Sequence, residues 1–169
     1  MKFSDTAQFS SAISGADLQL PRAWIKKAKM VNDGCVYQVL NAFERKNPGY
    51  VGLVFEDSEE VTLDFQSIPP IVGADALREF HEWLFKAILK TEFSVNSAHL
   101  LSTQIIFHVE GTFHFLEEES QFVSWMIAID KRPQDSKARA MTVYGQTAPF
   151  LAKCQASAGS SSPTLDSRP

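Results

Sequence analysis

The segment Gly73–Phe115 reads GADALREFHEWLFKAILKTEFSVNSAHLLSTQIIFHVEGTFHF, and its hydrophobic period changes part-way along. In Gly73–Lys90, Ala74, Leu77, Phe80, Trp83, Leu84 and Ala87 recur at helical spacing, while Asp75, Arg78, Glu79, Glu82 and Lys86 fill most of the opposite arc. Asp75 stands in the first turn and Lys86 and Lys90 in the last, as the helix dipole favours. The spacing predicts an amphipathic helix that ends near Thr91. The period then falls to two. Over Gln104–Phe115, Ile105, Phe107, Val109, Gly111, Phe113 and Phe115 point one way, and Gln104, Ile106, His108, Glu110, Thr112 and His114 the other. Such alternation marks an antiparallel strand with one buried face.

Working outward, Glu92–Leu101 is a further strand, with Phe93, Val95 and Ser97 on one face. Gln121–Asp130 (QFVSWMIAID) is apolar on both faces, which predicts a central or covered strand, and Lys137–Gln146 (KARAMTVYGQ) makes the last one. Upstream, Glu60–Phe65 (EVTLDF) is a short strand closed by Pro69 and Pro70. Two helical stretches precede it. Pro21 opens the first, and Val36, Val39, Leu40 and Phe43 form a second apolar stripe, stopped by Asn47-Pro48-Gly49. Helices followed by a meander of strands make an α+β domain, with the helices on one sheet face. A curved sheet wrapped around a helix encloses an apolar, cone-shaped interior, the kind of cavity where small molecules bind.

At 169 residues the chain is one domain, since a domain averages roughly 150 residues. Residues 1–19 read as a loose leading segment and 20–154 as the folded domain. Residues 155–169 (QASAGSSSPTLDSRP) read as a disordered tail, because small polar residues bury too little apolar area to offset ordering entropy. Sixteen Lys and Arg against twenty Asp and Glu give a net charge of −4, which argues against a nucleic-acid partner. No stretch has the length and apolarity of a membrane span, and no signal-peptide core precedes the domain. The two cysteines, Cys35 and Cys154, lack metal-ligand spacing and fit a reducing compartment, so the cytoplasm is the expected location.

Several short runs together resemble the nuclear transport factor 2-like (NTF2-like) superfamily, in its SnoaL-like branch. They are Val61–Phe65 (VTLDF), Pro69–Gly73 (PPIVG), Ala76–Phe85 (ALREFHEWLF), Val109–Gly111 (VEG) and Val143–Gln146 (VYGQ). The resemblance covers roughly Trp24 to Phe150. It implies an NTF2-like cone, often a homodimer formed through the sheet. Polyketide cyclases, scytalone dehydratase, limonene epoxide hydrolase and ketosteroid isomerase share this fold, as do noncatalytic transport and scaffold proteins. In the enzymes an apolar pocket holds a rigid substrate while one or two buried polar groups move protons.

Asp64 is the first candidate for that chemistry. If it faces the cone, desolvation raises its pKa and suits it to proton transfer; if Leu63 and Phe65 point inward instead, it alternates out. His81 falls inside the apolar arc of the long helix, either as a pocket base or as a core-edge histidine bonded to a carbonyl. Tyr144 and Gln146 lie two apart on the last strand, where Tyr144 can donate to a developing oxyanion and Gln146 can orient a carbonyl. The family often has Asp at the position of Gln146, and Gln cannot act as acid or base. Asn96 stands on the strand where the family sometimes has a histidine. Trp83, Phe65 and Trp125 complete the expected substrate contacts, and nine of the thirteen phenylalanines lie between Phe55 and Phe122. His108 and His114 are six residues apart on one strand face, roughly 20 Å, too far to share an ion. No zinc motif, phosphate loop or dinucleotide fingerprint appears, so neither metal nor cofactor is expected.

Two functions follow from these residues. One is a cofactor-independent isomerase, cyclase or dehydratase acting on a hydrophobic cyclic or polyketide-like molecule in secondary-metabolite biosynthesis. The other is a noncatalytic ligand-binding or protein-interaction module. They differ in whether Asp64 and His81 both line one cavity within reach of one guest.

Overall fold

The computed structural model describes residues 35–116, 119–132 and 134–159. The leading segment 1–19 and the helix expected from Pro21 lie outside these residues. The described chain runs α1 (Cys35–Arg45), α2 (Tyr50–Val54), β1 (Thr62–Asp64), β2 (Ile71–Val72), α3 (Ala74–Ala87), β3 (Ile88–Leu100), β4 (Gln104–Phe115), β5 (Ser120–Asp130), β6 (Ala140–Tyr144) and α4 (Ala148–Ala158). The strands form one six-stranded sheet in the order β2-β1-β6-β5-β4-β3. Of these strands, β1 and β6 pair in parallel, with Leu63 opposite Met141 and Asp64 opposite Thr142. The result is an α+β fold with a mixed, open sheet.

One face of this sheet is the core. The row Leu100, Ile105, Ile129, Met141, Leu63 and Ile71 crosses all six strands in register, and every member is buried. Helices cover that face because each carries an apolar stripe. Val36, Val39, Leu40 and Phe43 of α1 are buried, as are Leu77, Phe80, Leu84 and Ala87 of α3. The opposite sheet face has no helix among the described residues.

The long helix stops at Ala87, earlier than its sequence stripe suggests. Ile88 already has extended backbone (φ −91°, ψ 126°) and pairs with Phe115, so helix passes into strand without a loop. An apolar residue satisfies both periods at such a junction, and sheet pairing settles which one holds. A register shift between Val95 and Ser97 interrupts β3, as a bulge does. At Gly111 the strands come very close, and a Cβ there would overlap the Glu92 carbonyl and the Phe93 ring.

The final helix, α4, is the largest departure from the sequence reading, which assigned strands to everything after α3. Pro149 lies in its first turn and Gly159 closes it in left-handed conformation (φ 63°). Its buried stripe is narrow: Phe150, Leu151 and Cys154. The rest is small and polar, so the segment reads as loose until Phe150 meets the Phe113 and Trp125 rings at 4.5 and 5.0 Å.

Candidate functional site

Beneath the concave sheet face lies a small apolar hollow of about 20 Å³. Val39, Leu40 and Phe43 of α1 cover it, and Phe93, Val109 and Trp125 form much of its floor. Phe65, Ile127, Met141 and Val143 complete the wall, and no polar atom opens onto the hollow. The Trp125 residue is 3% exposed, and its Nε1–H has no hydrogen-bond partner among the described residues. A hollow of this size holds at most about one water, and a water needs two or more polar partners to settle. A wider groove of about 560 Å³ opens at the start of α3, lined by acidic Asp57, Glu59 and Asp75 and by none of the candidate residues.

His81 does not reach the hollow. It is fully buried behind Phe43, whose ring stands edge-on to it with centroids 6.1 Å apart. Nδ1 lies 2.7 Å from the Leu77 carbonyl and Nε2 2.6 Å from the Tyr50 hydroxyl. A carbonyl only accepts, so Nδ1 carries the proton; Nε2 of the neutral ring then accepts from Tyr50. Both nitrogens are occupied. Burial pushes the imidazole pKa down to about 4, with the Leu77 bond opposing the shift. Burial, reinforced by nearby Cys35, raises the Tyr50 pKa well above its ordinary value. This neutral pair joins α2 to α3, and His81 bonds a backbone carbonyl as its second reading expects, though in the core rather than at its edge. Sequence offered no sign of Tyr50, because its partner is 31 residues away.

Asp64 also stands apart from the hollow. Leu63 points into the core, which turns Asp64 to the other sheet face. There its carboxylate accepts from the Gln66 backbone N–H at 2.7 Å and from Gln66 Nε2 at 2.9 Å. Gln66 has φ 63°, a left-handed backbone that this two-point grip steadies. The inward orientation needed for proton transfer is thus corrected by strand register.

Tyr144 faces outward as well, opposite Met126, and is 47% exposed. Gly145 (φ 136°) then turns the chain, so Gln146 leaves the strand and is exposed; the two do not share a strand face. Asn96 sits at the β3 register shift and lines no part of the hollow. Trp83 is buried within α3 against Phe80 but is likewise outside it. Phe65 and Trp125 are the two expected contacts that the fold brings together, their rings 6.2 Å apart and nearly perpendicular. On the outer face His108 bonds Ser124 at 2.8 Å and His114 approaches Glu92 at 3.4 Å. Among the described residues no group of three His, Cys, Asp or Glu side chains is placed to hold a metal ion.

No protein-family model matches the sequence, and no curated protein matches it. Solved structures do share its architecture. An NTF2-like protein of unknown function from Burkholderia pseudomallei superposes with a TM-score of 0.59, covering 73% of this chain and 96% of its own at 12% identity. The chain has the NTF2-like fold. An LEH-like epoxide hydrolase from M. tuberculosis matches with a TM-score of 0.57, covering 71% of this chain and 81% of its own at 9% identity. A putative SnoaL-like polyketide cyclase from Jannaschia sp. CCS1 gives 0.50, with 78% and 96% covered at 15% identity. At these identities the likeness extends to the NTF2-like cone and its helical cover, while the chemistry of the interior belongs to each chain's own residues.

Proposed function

We propose that this protein is a noncatalytic NTF2-like module that holds a compact, hydrophobic small molecule in its cone. The lining of the hollow carries this reading: its surface is apolar throughout, and Asp64, His81 and Tyr144 all lie outside it. Proton transfer needs an acid or base within hydrogen-bond reach of the guest. Among the described residues, an isomerase, cyclase or dehydratase mechanism lacks such a group. The hollow of about 20 Å³ admits no organic molecule as it stands, so this reading requires Phe43 and the α1 stripe to give way to a guest.

The test is a methyl-resolved NMR titration of the full chain with small cycloalkanes and cyclic ketones. Shifts concentrated at the Val39, Leu40, Val109 and Ile127 methyls support the reading; unmoved methyls up to saturating probe overturn it. Turnover of a cyclic substrate that is abolished by Asp64→Asn would restore the enzyme reading.

The sheet face that no described helix covers supports a second copy of the chain as a partner. Phe122 is 64% exposed and Met126 40%, and Tyr144 lies beside Met126 in register. Phe122 and Met126 flank Ser124 on β5, so a two-fold axis passing at Ser124 across the strands seats each on the other in the opposite copy. Sedimentation equilibrium tests this. A dimer that the double variant Phe122→Glu, Met126→Glu turns into a folded monomer supports it, and a monomeric wild type removes it.

A further inference from the structure

We infer that a zinc ion bridges two copies of the chain, held by His108 and Glu110 of each. This rests on the dimer reading above and adds the ligand that joins the two sheet faces. His108 and Glu110 both point outward from β4, and their side chains converge. His108 Nε2 and Glu110 Oε1 lie 3.9 Å apart, and Ser124 Oγ stands 2.8 Å from the first and 3.4 Å from the second. Two ligands of a tetrahedral zinc ion are about 3.3 Å apart, so a small side-chain movement closes the pair on one metal. Both side chains are partly exposed and open to a ligand arriving from outside.

One copy supplies half a site. Among the described residues no three His, Cys, Asp or Glu side chains are placed to hold a metal, and the ion-pair partner of Glu110 is His108. Nearby Glu92 is engaged elsewhere, bonding Lys90 and approaching His114. The two-fold axis that seats Phe122 on Met126 passes at Ser124, and Glu110 is the register partner of Ser124 on β4. The axis therefore sets Glu110 of one copy against Glu110 of the other, with a His108 beside each. Two carboxylates meeting in a closing interface repel unless a cation or a proton joins them. Packed sheets lie about 10 Å apart, so their midplane is within reach of a glutamate and an imidazole from both sides. Two imidazole nitrogens and two carboxylate oxygens are a donor set that tetrahedral zinc accepts, whereas magnesium prefers oxygen alone. Because the ligands come in pairs from two copies, no zinc motif marks them in one sequence.

Sedimentation equilibrium of the full chain in EDTA, in zinc chloride and in magnesium chloride tests this for the wild type, His108→Ala and Glu110→Gln. In the wild type, free zinc at about ten times the dissociation constant of the site should tighten the dimer about tenfold over EDTA, with one zinc per dimer by elemental analysis. Magnesium should leave the wild-type dimer as it is in EDTA, and zinc should leave each variant as it is in EDTA. A wild-type dimer equally tight in zinc and in EDTA overturns the bridging ion while leaving the dimer standing, and so does a zinc effect that persists in both variants. A chain that is monomeric with and without zinc removes the dimer itself. Should either variant fail to fold, the wild-type His108 ring protons decide: their movement on adding zinc supports the site, and unmoved signals overturn it.

Discussion

Lowering the pH from 7 to 5 should weaken the fold through one residue, His81. Its pKa is held down to about 4 in the native state against an ordinary 6.5. The unfolded chain therefore binds a proton in this window that the folded chain refuses, so stability rises with pH between about 4 and 6.5 and is fully present only above 6.5. The linkage relation gives a loss of about 2 kcal/mol at pH 5 and about 3 kcal/mol at pH 4, relative to pH 7. The window is a clean one with respect to the depressed carboxylates. Glu92, lowered chiefly by its bond to Lys90, and Asp135, lowered chiefly by Arg132, lose their contributions only below their ordinary values of 4.5 and 3.8.

The assay is urea unfolding at pH 7 and pH 5, for the wild type and for His81→Met. The variant leaves the Tyr50 hydroxyl and the Leu77 carbonyl without their partner, so it starts about 2 kcal/mol less stable at pH 7. Its loss between the two pH values should nonetheless be smaller than the wild type's by about 2 kcal/mol. Equal losses in the two proteins, or an NMR titration placing the native His81 near 6.5, would refute the reasoning.

Two further outcomes concern positions where the backbone is constrained. Gly111→Ala should cost about 3 kcal/mol in denaturant unfolding, because its methyl must displace the Glu92 carbonyl and the Phe93 ring together; a cost below about 1 kcal/mol would show that β3 and β4 separate easily at that point. Asp64→Ala should lower stability by about 1 kcal/mol through the lost grip on Gln66. It should leave probe affinity unchanged, and a tenfold change in affinity would return Asp64 to the site.

The sequence alone determined the elements with an unambiguous period. The apolar stripe read over Gly73–Lys90 stands in the fold as far as Ala87, and the alternation of Gln104–Phe115 stands throughout, since each buries one face and a single period says which. The α+β class followed from their order, and the resemblance to the NTF2-like superfamily from the short runs between Val61 and Gln146. Candidate chemistry was less legible, because it depends on which way a single side chain turns. Asp64 lies in a strand of three residues, too short for alternation to choose a face, and only the pairing of Leu63 with Met141 sent it outward. Likewise His81 sat correctly in the apolar arc, but the Tyr50 hydroxyl that occupies its second nitrogen comes from another helix. The closure of the cone by α4 was hidden for a related reason: the segment is weakly patterned by itself and acquires its helix by packing Phe150 on Phe113 and Trp125. Periodicity is a local property, and it survives in the chain; whether a polar atom such as His81 Nε2 is paired depends on neighbours that only folding assembles.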